Sequence, residues 1–346
     1  MVLFLELDRR LHENKTTELT DKVVAGIRKL DYEGEDARII KDTLLYAQLR
    51  GNNQGIAKLA TGGVPKVSEL EPFALVKENK SGALFSGGHS MVAAVKAANK
   101  AVELAREHGV GVVASNHTHT SSGSIGYFAR QVAKQGFIAF VCVGNGDWAA
   151  VAPAGSAEPK LGTNPLAYAF PYDGGEVVFD TATAAIAYYG VVQAMLTGKP
   201  LPEGVALNSK GEPTTNAKDV LDTGDGEAMD GAITTFAGHK GFGLSLFVQL
   251  LGSAFSLAGM PGAYGEDGSG TFVLAIDPGL LAGTDEYMKR SRQLVDNIKA
   301  AKPISGQQVF LPGEHGDSIA KQAEASGEIE VADGVWQQLC SFVDGQ

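Results

Sequence analysis

His117 and His119 stand two residues apart at the end of an apolar run, in the segment Gly111 to Arg130, GVVASNHTHTSSGSIGYFAR. An imidazole exchanges a proton near neutral pH at its ordinary pKa, which suits general acid or base work. On an extended backbone, residues two apart also face the same way. The same H-x-H spacing at a strand end suits zinc, but a site needs further ligands, and His12, His89, His108, His239 and His315 supply no second metal motif. No metal is therefore expected. The pair alone leaves a catalytic reading and a hydrogen-bonded structural one both open.

A second candidate is Ala237 to Leu244, AGHKGFGL. Glycines around His239 and Lys240 leave backbone N–H groups open at a helix start beside a cation, an arrangement that suits a phosphate. A plain packing turn accounts for the same residues. Asp180 follows the strand-like Val177 to Phe179 and either caps the next helix, the favoured reading, or lines a site at a strand end. Leu161 to Pro165, LGTNP, reads as a turn. Neither G-x-G-x-x-G after a predicted strand nor G-x-x-x-x-G-K-S/T is present, so a Rossmann domain or P-loop is not expected.

The elements that must position these groups follow from periodicity. Residues 1 to 60 read as helical, with apolar residues at three- and four-residue spacing over Leu19 to Leu30 and Asp36 to Leu49. Gly62 to Pro72 reads as a loop, and Ser90 to His108 as an amphipathic helix stopped by Gly109. Val112 to Ala114 predicts a buried strand delivering the histidines, and a helix restarts at Tyr127 and runs to Gly136. Short apolar runs then alternate with turn residues: FIAFVCV, LAYAFP, EVVFD and the helical AIAYYGVVQAMLTG. Lys199 to Asp230 is a polar loop, Phe272 to Ile276 a buried strand, Glu286 to Ala300 a surface helix and Asp317 to Phe342 a closing helical segment. The whole is a mixed α/β chain. Its 44 glycines in 346 residues exceed an average share of about 7%, so many tight turns and close backbone approaches are expected.

Composition narrows the function classes. A net charge of −11 without a basic run disfavours nucleic acid as a partner. Two cysteines, Cys142 and Cys340, point to a reducing compartment, the cytoplasm. The opening MVLFLELDRRLHENK mixes charges into what a signal peptide would keep apolar, so no secretory signal is expected. Gly241 to Gly265 carries no charge, yet Gln249, its serines and its glycines favour a buried core helix over a membrane span. No membrane partner is expected.

Seven collinear segments resemble the malate/L-lactate dehydrogenase family, which also includes ureidoglycolate dehydrogenase, diketogulonate reductase and piperideine-2-carboxylate reductase. They are LRGNNQGIAKL (49–59), NHTHTSSGSIGYF (116–128), EPKLGTNPLAYAFP (158–171), VVFDTAT (177–183), LNSKGEPTTN (207–216), GHKGFGL (238–244) and LPGEHG (311–316). The resemblance implies an oxidoreductase using NAD or NADP in a family-specific, non-Rossmann fold, a homodimer with its active site between domains. A helical, substrate-side domain would be built from both termini, 1–75 plus 300–346, and 76–299 would form the cofactor domain with a mixed sheet. Cofactor contacts would come from Asn145, Gly146, Asp180, Thr181, Ala182, Thr183, His239, Lys240, Gly313 and Glu314.

The resemblance also makes one histidine of the pair the proton donor or acceptor: His119 is preferred, with His117 the alternative. The chain departs from the family pattern where most members carry Ser-His and, shortly after, Arg. Here stand Asn53, Gln54 and Lys58. Gln54 hydrogen-bonds but cannot act as an acid, and Lys58 meets a carboxylate as a point charge without the arginine fork. The expected function is hydride transfer between the cofactor and C2 of a small 2-oxo or 2-hydroxy acid, or a related cyclic imine, with Asn53, Gln54 and Lys58 orienting that small-molecule substrate. The rivals are a zinc hydrolase built on His117 and His119 and a catalytically inactive ligand-binding member of the family.

Overall fold

The computed structural model describes residues 11–52, 55–146, 149–221, 229–261 and 268–345. The chain forms two compact units, Met1–Leu70 with Gly313–Gln346, and Glu71–Pro312. The first unit opens with strand β1 (Leu11–Lys15) and helices α1 (Thr16–Lys29), α2 (Gly34–Leu49) and α3 (Ala57–Ala60). α1 buries Leu19, Val23 and Ile27, and α2 buries Ile39, Ile40, Leu44 and Ala47, the apolar stripes that predict both helices. Gly26 lets α1 meet α3 closely, since a Cβ there would lie 2.9 Å from Leu59 Cδ2.

The second unit runs through β2 (Ala74–Asn79), β3 (Gly82–Ser86), α4 (Ser90–His108), β4 (Val110–Thr118), α5 (Gly126–Ala133), β5 (Ile138–Gly144), β6 (Leu166–Tyr172) and β7 (Gly175–Thr181). It continues with α6 (Tyr188–Thr197), the short pair β8 (Ala206–Leu207) and β9 (Ala232–Ile233), and α7 (His239–Gln249) leading into a π-helical turn, Leu250–Phe255. β10 (Ser269–Ile276), α8 (Gly279–Ala282) and α9 (Thr284–Lys299) complete it. α4 occupies the predicted span and ends on Gly109 in the left-handed region at φ 81°.

Seven strands form one sheet in the order β2-β3-β4-β10-β5-β6-β7, and only the β3–β4 pairing is parallel. Gly111 and Val112, adjacent on β4, take opposite faces. A Cβ on Gly111 would fall 2.0 Å from the Ala101 carbonyl of α4, whereas Val112 packs with Phe140, Cys142, Phe272 and Val248 of α7. Helices thus cover both faces, which is why β4 reads as an unbroken apolar run instead of an alternating one. One end of the sheet gathers the C-terminal ends of β4, β5 and β7 and the starts of β6 and β10. Thr118 pairs with Ser269, Gly144 with Gly270, and Leu166 with both Cys142 and Thr181.

The chain then returns to the first unit with α10 (Glu314–Ser326), β11 (Glu328–Ala332) and α11 (Asp333–Asp344). The closing segment expected to be helical throughout is therefore interrupted: Gly327 at φ 70° stops α10, and β11 pairs antiparallel with β1. Ile329 and Val331 are buried and alternate with exposed Glu328, Glu330 and Ala332, an alternation too short to stand out in a helical context. β1 likewise corrects the all-helical reading of residues 1 to 60. β2 and β3, absent from the sequence reading, form a hairpin whose outer strand is exposed along its length, so no hydrophobic alternation marks it. The expectation of one buried helix over Gly241 to Gly265 also needs correction, because α7 ends at Gln249 and Leu244, Leu246 and Phe247 are exposed. Among the described residues no helix is long and apolar enough to cross a membrane.

Candidate active site

His117 lies in a β-bulge. Ser115 pairs with Thr271 and Thr118 with Ser269, so Asn116 and His117 together oppose Gly270. His117 takes φ 52°, in the left-handed region that few non-glycine residues adopt, and is half-buried. β4 ends at Thr118, and His119 is exposed just beyond it. The extended alternation that would set both imidazoles on one face is thus broken at His117. Asn116 anchors the bulge by donating from Nδ2 to the carbonyls of Ser256 and Leu257 at 2.9 and 3.2 Å.

The loop after His119 is fastened at both ends. Thr120 and Ser90, at the start of α4, exchange hydrogen bonds: Ser90 N–H donates to Thr120 Oγ1 at 2.9 Å, and Ser90 Oγ to the Thr120 carbonyl at 2.7 Å. At the other end Ser124 Oγ and Gly126 N–H both donate to Asp180 Oδ2 at 2.8 Å. Asp180 is therefore the cap of α5, not of the helix that follows it, which starts without a side-chain cap. A Cβ on Gly126 would sit 2.9 Å from Asp180 Cβ, so glycine is required there. The Asp180 residue is exposed to solvent while protein crowds its carboxyl, and that desolvation pushes the group above the usual carboxylate range. His89, buried at the start of α4, accepts from Met91 N–H through Nδ1, and burial pushes it down to about 3, so it is a neutral structural cap.

Past Asp180, Thr183 is fully buried, its Oγ1 donating to the Asn164 carbonyl at 2.9 Å and its own carbonyl accepting from Phe236 N–H at 3.1 Å. Ala185 N–H donates to the Thr234 carbonyl at 2.8 Å. These bonds set the start of α7 beside the end of β7. His239 and Lys240 are exposed on the first turn of α7, whose N-cap, Gly238, offers no side-chain cap. No acidic side chain pairs with Lys240 among the described residues. Asn145 and Gly146 follow β5 at this same end of the sheet. A Cβ on Gly146 would lie 2.0 Å from the Gly268 carbonyl, so this turn must be glycine to pass the start of β10.

The second unit thus brings His117, Asn145, Gly146, Asp180 to Thr183, and the loop that carries His119 to one end of its sheet, with His239 and Lys240 on the adjoining helix start. The first unit carries the others. Lys58 on α3 is half-buried without an acidic partner among the described residues, and burial pushes its ammonium down to about 8. Gly313, at φ 89°, precedes α10, and Glu314 is the first residue of that helix. Asn53 and Gln54 lie outside the described residues. No three His, Cys, Asp or Glu side chains gather as a metal-binding group among the described residues. The sequence reading missed Ser124, Asn164, Gln249 and Ser269. Gln249 carried the one available signal, a long amide inside an uncharged apolar run, which must find hydrogen bonds if buried.

The model of the malate/L-lactate dehydrogenase family matches residues 15–340. The chain belongs to this family. A malate dehydrogenase of Pyrococcus abyssi is 32% identical over 323 residues, covering 86% of this chain and 85% of that protein. A Δ1-pyrroline-2-carboxylate/Δ1-piperideine-2-carboxylate reductase of Pseudomonas putida is 33% identical over 252 residues, 70% of this chain and 69% of that one. The solved sulfolactate dehydrogenase of Methanocaldococcus jannaschii superposes with a TM-score of 0.79 at 27% identity, covering 96% and 97% of the two chains. As a member of the family, the chain is an oxidoreductase with its mixed α/β architecture.

Proposed function

We propose that this family member transfers a hydride between NAD or NADP and C2 of a small 2-oxo or 2-hydroxy acid, or the equivalent carbon of a cyclic imine. The observation that carries the reading is the convergence, at one end of one sheet, of the His117–His119 segment with Asp180 and the uncapped start of α7. The donor set fits a dinucleotide: backbone N–H groups and Lys240 meet the phosphates, and Asp180, accessible and held through Oδ2 by Ser124 and Gly126, meets a ribose hydroxyl. The Asn145–Gly146 turn, Thr181 and Ala182, and the backbone about Thr183 line the remainder, and Gly313 and Glu314 are the further cofactor contacts that the family resemblance implies. When bound, the nicotinamide supplies or accepts the hydride.

The side chains of the chain itself do the rest. His119, with His117 as the alternative, moves the proton on the C2 oxygen or imine nitrogen. Lys58 holds the substrate carboxylate as a point charge, and Asn53 and Gln54 orient the same end by hydrogen bonding. With glutamine at 54, the proton must come from elsewhere, which places the demand on the histidine segment.

The reading includes a homodimer. Leu246, Phe247, Leu250, Phe255 and Leu257 are exposed along a run that carries no charge from Gly241 to Gly265. On a chain of net charge −11, such a face meets a second copy without setting like charges against each other. A cytoplasmic setting goes with Cys142 and Cys340 as free thiols. The test is a panel of 2-oxo acids and cyclic imines with NADH and NADPH, followed by loss of nicotinamide absorbance. Oxidation with at least one pair is expected, and oxidation with none overturns the reading in favour of a ligand-binding protein.

A further inference from the structure

Asn145 is held by a buried polar network that the sequence did not reveal. Gln249 Nε2 donates to the Asn145 carbonyl at 3.0 Å and to Ser253 Oγ at 2.7 Å. Its Oε1 accepts from Asn164 Nδ2 at 2.8 Å. Asn164, fully buried, also donates to the carbonyl and Oγ of Ser245 at 3.1 Å each, and its Oδ1 faces Asn145 N–H at 3.5 Å. Ser269 Oγ donates to Asn145 Oδ1 at 3.2 Å, and the Ser269 carbonyl accepts from Thr118 Oγ1 at 2.9 Å. Both backbone polar groups of Asn145 and its side chain are therefore fixed by residues from α7, from the turn before β6 and from β10.

Simple stability does not account for this arrangement. α7 buries Ser245 and Gln249 beside Val248, and replacing a hydrogen-bonded buried pair by apolar groups of matching shape is close to neutral. Asn164 moreover takes φ 41°, a conformation tolerated by asparagine better than by most residues. A fully satisfied buried network specifies one geometry, and the geometry specified here is that of the Asn145–Gly146 turn. The same helix that carries Gln249 at its C-terminal end presents His239 and Lys240 at its start. One rigid element therefore fixes the turn to the exposed cationic end of the helix.

We infer that Gln249 and Asn164 are positioning residues that set affinity for the nicotinamide cofactor by holding the Asn145 turn. The inference rests on the cofactor role proposed above for that turn. Its test compares NADH and NADPH binding, by nicotinamide fluorescence titration, and substrate KM at saturating cofactor in wild type, Gln249→Met, Ser269→Ala and Ser256→Ala. The last variant removes a buried bond to the Leu251 carbonyl, 2.7 Å long, without touching Asn145. Gln249→Met is expected to raise the cofactor Kd about tenfold and Ser269→Ala by a smaller factor, with substrate KM unchanged, while Ser256→Ala keeps the wild-type Kd despite a lower melting temperature. Wild type binding neither cofactor overturns the cofactor reading and this inference with it. Wild-type binding with an unchanged Kd in Gln249→Met overturns the inference alone. If Gln249→Met does not fold, Ser269→Ala decides, and an unchanged Kd there overturns it.

Discussion

Asp180 Oδ2 accepts from Gly126 N–H at 2.8 Å across 54 residues of sequence, so the carboxylate at the end of β7 also starts the helix that follows the histidine loop. Asp180→Asn keeps an oxygen for that cap while removing a charge that the protein crowding the carboxyl desolvates. Because the folded carboxyl is held above its ordinary value, the charged form reduces stability at pH 7, and the loss is relieved only as pH falls through the folded value. Asp180→Asn is therefore expected to melt no lower than wild type at pH 7, and Asp180→Ala to lose about 1 kcal/mol with its cap. Both weaken cofactor binding. Thermal melts with parallel titrations check this, and wild-type affinity in Asp180→Asn would remove the carboxylate from the cofactor site.

Lys58 carries a pH signature. Its folded value of about 8 lies below the ordinary 10.5, so kcat/KM for a carboxylate substrate is expected to fall above about pH 8 as the ammonium loses its proton. Lys58→Arg abolishes that limb, since guanidinium stays charged. The stability effect has a defined sign as well: the unfolded chain retains this proton longer, so wild-type stability rises with pH between about 8 and 10.5 relative to Lys58→Met, and Lys58→Met melts higher than wild type at pH 7. A pH–rate profile without a limb near 8, or one unchanged in Lys58→Arg, contradicts the assignment.

The histidine assignment divides between two variants. His119→Ala is expected to lower kcat by about 10²- to 10⁴-fold with the cofactor Kd unchanged, whereas His117→Ala, removing a residue with φ 52° from a bulge, mainly lowers the melting temperature. Steady-state kinetics on both settles the order, and full turnover in both variants would show that neither imidazole moves the proton.

The apolar face predicts an assembly state. Leu250 and Leu257 are 53% and 67% exposed, and Leu250→Glu with Leu257→Glu is expected to convert a dimer to a monomer in sedimentation velocity runs. A monomeric wild type, or a charged variant that stays dimeric, contradicts this interface.

Much of the candidate site was legible because its parts lie in local motifs. α4 stops where Gly109 must adopt a left-handed backbone, and the apolar run of β4 leads to the histidines as expected. What was hidden depends on distance in sequence. Asp180 caps a helix that precedes it, and nothing near Asp180 points to Gly126. β11 is a strand because β1 pairs with it from the other end of the chain, and β2 is an exposed edge without alternation. The bulge at Asn116 and His117 arises from β10, more than a hundred residues later, and it removes the simple alternation that two histidines at i and i+2 imply. Gln249 was visible only as an amide in an apolar run, with no sign of the partners it would find.

Hydride transfer to C2 leaves an isotopic signature on the product. Reduced cofactor carrying deuterium at the transferable position of the nicotinamide is incubated with the 2-oxo acid or cyclic imine turned over fastest, and the product is examined by proton NMR. Deuterium is expected at C2 of the 2-hydroxy acid, or at the corresponding carbon of the cyclic amine, in a product of single configuration. Product with protium at that carbon, the label having stayed on the oxidised cofactor or passed to water, would rule out direct hydride transfer.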